Sequence, residues 1–475
     1  MVAIITDKLK RNMINKLIED VDSTGSNYYI GIGRSEQWDS TDTVVNPLAS
    51  ARDERQFRSS LQAMKLGEDI SFVVPRNNWS SGTVYSGYDD AVAGYPTNKY
   101  YVMTEQNFVY VCLKQGRNSA GVAVPSIIAP TVTTMEPFET SDGYVWKYLF
   151  QQGAVPINKF LTSNFMPLSY IETDSDASGD VIKEEQRKIQ KYAIRGEITD
   201  IVVTAGGSGY TSPPTVGING VQRSYGRFGL DSDPKTALAT AIIHNGQLVN
   251  ITMNDSGTGK AFGRGYDAAD ITITGGGGSG ATARAVISPY RGWGRDPRED
   301  LKSTSVMINT KLAGTEGDTF LIGNDYRQVA LIKNPATSPD SARGINDSDA
   351  RLPLLSLTSS NALKSLKLAS APAGSFTADK VIVGGSSAAK AVLDQVDSNR
   401  LYFHQTEDTG FINFTGGETL TEIDGAGNGT LDSAAAFLDS ADVNVHTGEI
   451  LYIDNRASIT RSSAQTEDIK VVIQF

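Results

Sequence analysis

A single cysteine, Cys112, stands in 475 residues, which excludes an internal disulfide framework and any cysteine-based zinc site. Histidine is almost as scarce. His244, His404 and His446 lie far apart in sequence, so their spacing suggests no metal centre. No run of about 18 apolar residues occurs, so no segment reads as a transmembrane helix. The opening MVAIITDKLKRNMINKLIEDVD has no charged n-region ahead of an apolar core and is not read as a secretory signal. Positive charge is in deficit: 43 Lys and Arg stand against 54 Asp and Glu, a net charge of −11. Broad binding to nucleic acid or anionic membrane needs a positive surface field, and this balance argues against both. A local basic patch stays open.

What is present is ordinary for a globular chain: 39% hydrophobic and 20% charged residues. The length accommodates roughly three domains. Ile5, Leu9, Met13, Leu17 and Val21 recur at four-residue spacing and predict an amphipathic helix. Tyr28–Ile32 reads as a strand running into the polar turn Gly33–Trp38. A second helix is expected from Arg52 to Lys65, with Phe57, Leu61 and Met64 on one face and Gly67 as its stop. Strands follow at Ser71–Val74, Tyr100–Met103 and Phe108–Leu113, with Cys112 as a small buried hydrophobe. After the turn Asp142-Gly143, aromatics alternate at period two through Tyr144–Phe150, as one face of a strand requires. Ile182–Ile194 is charged and helical, and Val329–Ile332 is a strand. At the C-terminal end, Glu449–Ile453 and Ile469–Phe475 read as strands. A turn is expected at Asp454-Asn455, and a surface link carries Arg456, Arg461, Gln465, Glu467 and Asp468.

The 46 glycines cluster, and the clusters mark two internal repeats. In the first, Ile198 and Ile201 correspond to Leu248 and Ile251, and Gly209-Tyr210 to Gly265-Tyr266. Val216–Ile218 corresponds to Ile271–Ile273, and Ala237–Ile243 to Ala281–Ile287. Each copy reads strand, turn, strand, turn, strand. In the second, Phe376–Ile382 parallels Phe414–Leu420. The expected organisation is a β-sandwich-like parent domain (1–195, 290–353, 436–475) interrupted by two small all-β inserts, 196–289 and 354–435. The fold class is α+β, predominantly β.

Motifs that would signal chemistry have plainer explanations. Gly275–Gly280 satisfies the GxGxxG string, but the residues after it match a strand rather than the helix a dinucleotide site needs, so a turn is expected. Gly257-Thr258-Gly259-Lys260 lacks the upstream glycine of a P-loop, and Asp424–Gly429 lacks the alternating acidic ligands of an EF-hand, which leaves a hairpin turn. At Ser208 the final glycine of a nucleophile elbow is replaced by Tyr210. His446 beside Glu449 has no nucleophile or metal set around it and is expected to be a hydrogen-bonded surface histidine. A carboxylate pair for glycoside cleavage is a tertiary property that the sequence leaves open. Trp38, Trp79 and Trp146 are expected to anchor packing. No catalytic, cofactor-binding or metal-ligating residue is assigned.

Five blocks outside the inserts carry a resemblance: Gly33–Trp38 (GRSEQW), Val74–Trp79 (VPRNNW), Asp142–Phe150 (DGYVWKYLF), Gln328–Pro335 (QVALIKNP), and His446–Arg456 (HTGEILYIDNR) with Gln465–Phe475. In this order they resemble the dimeric baseplate wedge protein of T-even-like contractile-tailed bacteriophages. The resemblance implies a non-catalytic virion structural protein with no cofactor, located in the tail baseplate. It would form a homodimer, bind other wedge proteins, move largely as a rigid body, and take part in the rearrangement that triggers sheath contraction. Tail-fibre-attachment proteins are further candidate partners; nucleic acid and membrane are not. Ala457-Ser458 stands where prolines follow the Asn-Arg pair in that family, and the inserts have no counterpart in the shorter relative. They are expected to face neighbouring tail proteins. The competing expectation is a host-glycan-binding adhesin or glycan-degrading protein, with Tyr210, Tyr266 and Tyr402 as exposed platforms.

Overall fold

A computed structural model describes residues 3–67, 69–93, 98–223, 234–256, 259–317, 319–339, 352–434 and 437–475. The polar loop expected over Thr337–Ala350 lies outside them from position 340 onward, as do Gly257 and Thr258. Strand outweighs helix, 41% to 12%, and the sheets are antiparallel, so the fold is α+β and predominantly β. The helices are α1 (Asp7–Val21), α2 (Ala51–Ser59), α3 (Ala154–Phe160), α4 (Asp174–Ala177), α5 (Val181–Lys191) and α6 (Pro297–Asp300). The chain forms two compact units. One comprises Met1–Asn15, Ser71–Met307 and Val472–Phe475, the other Lys16–Ile70 and Ile308–Val471.

Three expectations about local structure are corrected. In α1 only Ile14 is buried, and Ile5, Leu9 and Met13 of the apolar stripe are exposed. Helix α2 stops at Ser59, and Leu61–Leu66 is a buried strand. The spacing of Phe57, Leu61 and Met64 suits a helix, but Leu61–Leu66 lies between Tyr28–Gly33 and Ser359–Asn361, and that pairing overrides local propensity. Asp454-Asn455 makes no turn. The strand runs unbroken from Glu449 to Thr460, and its irregularity is a bulge, with Gln328 opposite Asn455 and Tyr326 opposite Ile459.

In the first unit, Tyr101–Met103, Phe108–Lys114, Val145–Gln151 and Phe138–Glu139 form a sheet in that order. Tyr144, Trp146 and Tyr148 pack with Tyr85, Val102, Tyr110 and Cys112 on one face, and burial pushes the Cys112 thiol pKa well above its usual value. The opposite face of Val145–Gln151 is covered too: Lys147 is buried, with its ammonium on the Met135 carbonyl.

The repeat over 196–289 also lies in this unit, and its copies interlock. The first strand of one copy pairs with the last strand of the other: Ile198 with Ile287 and Ile201 with Ala285, then Leu248 with Ile243 and Ile251 with Ala241. Register slips recur at equivalent steps, Val286/Ile287 and Ile242/Ile243. The middle strands pair with each other, Val216 with Ile273 and Ile218 with Ile271, around Gly217 opposite Thr272. The result is an approximate two-fold axis through one module, not two sub-units side by side.

In the second unit, Ser359–Asn361, Leu61–Leu66, Tyr28–Gly33, Asp325–Lys333 and Glu449–Thr460 form a five-stranded sheet in that order. Residues 364–439 form a seven-stranded sheet around a core of Leu366, Ile382, Leu393, Leu401, Phe403 and Leu420. Its ends meet where Ala369 N–H donates to Thr430 O (2.9 Å) and Asp432 N–H to Lys367 O (3.0 Å). The weak repeat here is again paired on itself, Ile382 with Glu422 and Gly384 with Leu420, around Val383 opposite Thr421. Asp424–Gly427 links the paired strands Thr419–Glu422 and Asn428–Thr430, as expected of a hairpin turn, and Asn428 and Gly429 already belong to the second strand.

Candidate functional site

The sequence assigned no site residues, and the five matching blocks lie in both compact units. Three of them meet in the second unit. Gly33 pairs with Gln328, Gln328 with Asn455, and Lys333 with Glu449, so segments some 300 and 120 residues apart become neighbouring strands. Side chains reinforce the ladder. Gln328 Nε2 donates to Asn455 Oδ1 (2.9 Å), and Arg58 of α2 caps the carbonyls of Val445, Thr447 and Gly448 at 3.1, 2.6 and 2.7 Å. At Gly33 the chain passes so close to the Ser60 carbonyl that a Cβ would lie 2.6 Å from it.

After Gly33 the backbone turns through Arg34 at φ 61°. The Arg34 guanidinium lies 4.3 Å from the centroid of Trp38, whose indole N–H donates to the Arg456 carbonyl (2.9 Å). Arg327, buried on the neighbouring strand, grips Asp42 with Nε–Oδ1 and Nη2–Oδ2 both at 2.9 Å, reaches Asp325 Oδ2 at 3.1 Å, and donates to the Ser35 carbonyl. This fork-on-fork geometry fixes the turn in one orientation.

On this turn sits a buried charge cluster. His404, 5% exposed, is held on both sides: Nδ1 lies 2.6 Å from Asp394 Oδ2 and Nε2 lies 3.0 Å from Glu36 Oε1. Asp394 also accepts from Ser35 Oγ (3.3 Å) and, through its carbonyl, from Asn324 Nδ2 (3.0 Å). Burial disfavours a charged imidazole here, but the two carboxylates outweigh it and hold the His404 pKa well above its usual value. Burial likewise opposes ionisation of Glu36, and the His404 charge and hydrogen bond overcome it, bringing that pKa to about 2. Burial and then the Asp394 charge push Asp379 up to about 6. Both ring nitrogens of His404 are thus engaged by carboxylates of the chain itself. The cluster ties the GRSEQW block to the sheet of residues 364–439.

The other two blocks meet in the first unit. Trp79 N–H donates to Met103 O (2.9 Å), and the Trp79 side chain packs against the cluster holding Trp146. Trp146 stacks on Tyr144 at 5.7 Å and meets Tyr85 edge-on at 5.8 Å. Asp142 organises the turn before them, its Oδ2 accepting from Ile127 N–H (2.8 Å), Ile128 N–H (3.0 Å) and Ser126 Oγ (3.1 Å).

Several residues singled out from sequence sit elsewhere than expected. His446 is exposed, and among the described residues its ring has no hydrogen-bond partner. Burial, then Lys364 and Arg58, lower its pKa. Arg461 is not on a surface link but 2% exposed, paired with Glu467 (2.9 Å) and donating to Gly314 O (2.7 Å). Tyr210 and Tyr266 are 5% and 3% exposed, and the Tyr266 hydroxyl accepts from Ala237 N–H at 3.1 Å. No helix follows Gly275–Gly280; the next element is the strand Ser279–Ile287. The His404 cluster was missed because residues 36, 394 and 404 share no spacing. The available signal was Asp394, an acid directly after the apolar run Ala391-Val392-Leu393 within the strand Lys390–Asp397. Comparison of the sequence with protein-family models and with curated proteins gives no match.

Proposed function

We propose that the chain is a structural subunit of a contractile phage tail baseplate wedge, scaffolding neighbouring wedge proteins and taking part in the rearrangement that triggers sheath contraction. The observation that carries this reading is the convergence of the five matching blocks. Gly33–Trp38, Gln328–Pro335 and His446–Arg456 pair as neighbouring segments in the second unit, and Val74–Trp79 packs with Asp142–Phe150 in the first, while Gln465–Phe475 has residues in both units. The charged cluster on the Gly33–Trp38 turn is consistent with a scaffold, since its groups are paired with each other. The glycan-binding alternative rested on exposed tyrosines, and burial of Tyr210 and Tyr266 removes most of that support.

In this reading the chain is a homodimer located in the virion tail, with partners among other wedge proteins. Light scattering on the purified chain, alone and mixed with candidate wedge proteins, tests the proposal. The expected masses are that of a dimer, and a larger complex on mixing. A monomer indifferent to every candidate contradicts it.

A further inference from the structure

In the first unit a groove of about 970 Å³ opens between the extended segment Val132–Glu139, one face of α5 and the residues Asp255, Gly259 and Lys260. Part of its wall is apolar and exposed. Val132 is 41% exposed, Met135 47% and Val181 79%, three apolar side chains lining one concavity. Isolated exposed apolar residues need no explanation, but a grouped set in a groove marks a binding surface.

Two further features say what would fill it. The first is charge. Five carboxylates (Glu136, Glu139, Glu184, Glu185, Asp255) line the groove against two lysines, Lys188 and Lys260. Lys260 is already matched, to Glu139 at 2.5 Å and Asp255 at 2.8 Å. Among the described residues Glu136, Glu185 and Lys188 form no ion pair, so a negative excess faces the opening. The second is backbone. Phe138–Glu139 is the terminal strand of its sheet, paired only with Val145–Gln151. Along the approach to it, the N–H groups of Val132 to Glu136 donate to no protein atom among the described residues.

We infer that this groove binds an extended segment of a partner protein in which apolar residues alternate with Lys or Arg. The segment would lie beside Val132–Glu139 as an added strand, its main chain using the free edge and its basic side chains answering Glu136 and Glu185. This goes beyond the scaffold assignment and stands independently of it.

The test uses the full chain and two fluorescein-labelled octapeptides, one alternating Val and Leu with Lys and Arg, the other carrying Glu in place of each basic residue. By fluorescence anisotropy the basic peptide binds at least tenfold more tightly than the acidic one, and weakens as salt is raised from 50 to about 300 mM. Glu136→Lys/Glu185→Lys reverses the preference, while Glu105→Lys, on an exposed turn, leaves it unchanged. Amide exchange over 132–139 slows with the basic peptide bound. Equal binding of both peptides, binding by neither, or a preference unmoved by the double reversal in a chain with unaltered circular dichroism overturns the inference.

Discussion

Replacing His404 by alanine leaves the Asp394 carboxylate, 0% exposed at its side chain, without its cation. Removing one partner of such a buried pair costs on the order of 3–5 kcal/mol, and urea denaturation of the whole chain measures it. His446→Ala, on an exposed ring, stays within about 0.5 kcal/mol of the parent. The pH dependence has a definite sign. The folded-state pKa of His404 is raised, so its contribution is complete below pH 6.5 and fades as pH rises through the higher folded value. Glu36 is depressed from 4.5 to about 2, so its contribution holds above pH 4.5 and is lost as pH falls toward 2. Asp379, raised from 3.8 to about 6, lowers stability as pH climbs between those values. Stability from this cluster therefore peaks in mildly acidic solution and declines on the alkaline side. His404→Gln flattens the alkaline decline; an unchanged pH profile in that variant contradicts the assignment.

The elements of the 196–289 module carry the clearest trace of sequence in structure. Gly207 and Gly263 occupy equivalent turns with φ of 62° and 64°. A Cβ would lie 2.4 Å from the Ser279 carbonyl at the first and 2.6 Å from the Lys235 carbonyl at the second. Alanine at either position combines an unfavourable φ with a backbone clash, so each destabilises the module by at least about 1–3 kcal/mol, and by similar amounts. Gly275→Ala meets only the φ penalty, since nothing lies within 4 Å, and costs about 1–2 kcal/mol. Amide exchange across the module checks all three. The repeat itself was legible because glycines and apolar residues recur together; the strand exchange between copies was not, since pairing partners leave no local mark. The same reason explains Leu61–Leu66. Its apolar spacing fits a helix, and only strands from positions 28–33 and 359–361 decide otherwise. Arg461 was misread because a charged side chain signals solvent until a distant acceptor, here Gly314 O, is known.

For the molecule as a whole, the module's ends lie together: Ser288 N–H donates to Glu197 O (2.9 Å), and Glu197 N–H to Ser288 Oγ (3.2 Å). A short glycine linker in place of 198–287 should therefore close without strain, since loop closure over so small a gap costs little. Lys114 would lose Asp200 and the Ile251 carbonyl, so the excision is made together with Lys114→Met. The shortened chain is expected to fold with an intact aromatic core, read by near-ultraviolet circular dichroism, and to lose association with at least one tail partner. Retention of every association counts against a contact role for the insert. The assignment as a baseplate scaffold faces its most direct trial in the particle. On the proposed assignment, antibody labelling or a density map of a particle containing this chain places it at the distal end of a tail, in six-fold arrangement around the tube. Finding it in the capsid, along the tail shaft, or absent from the particle would contradict the account.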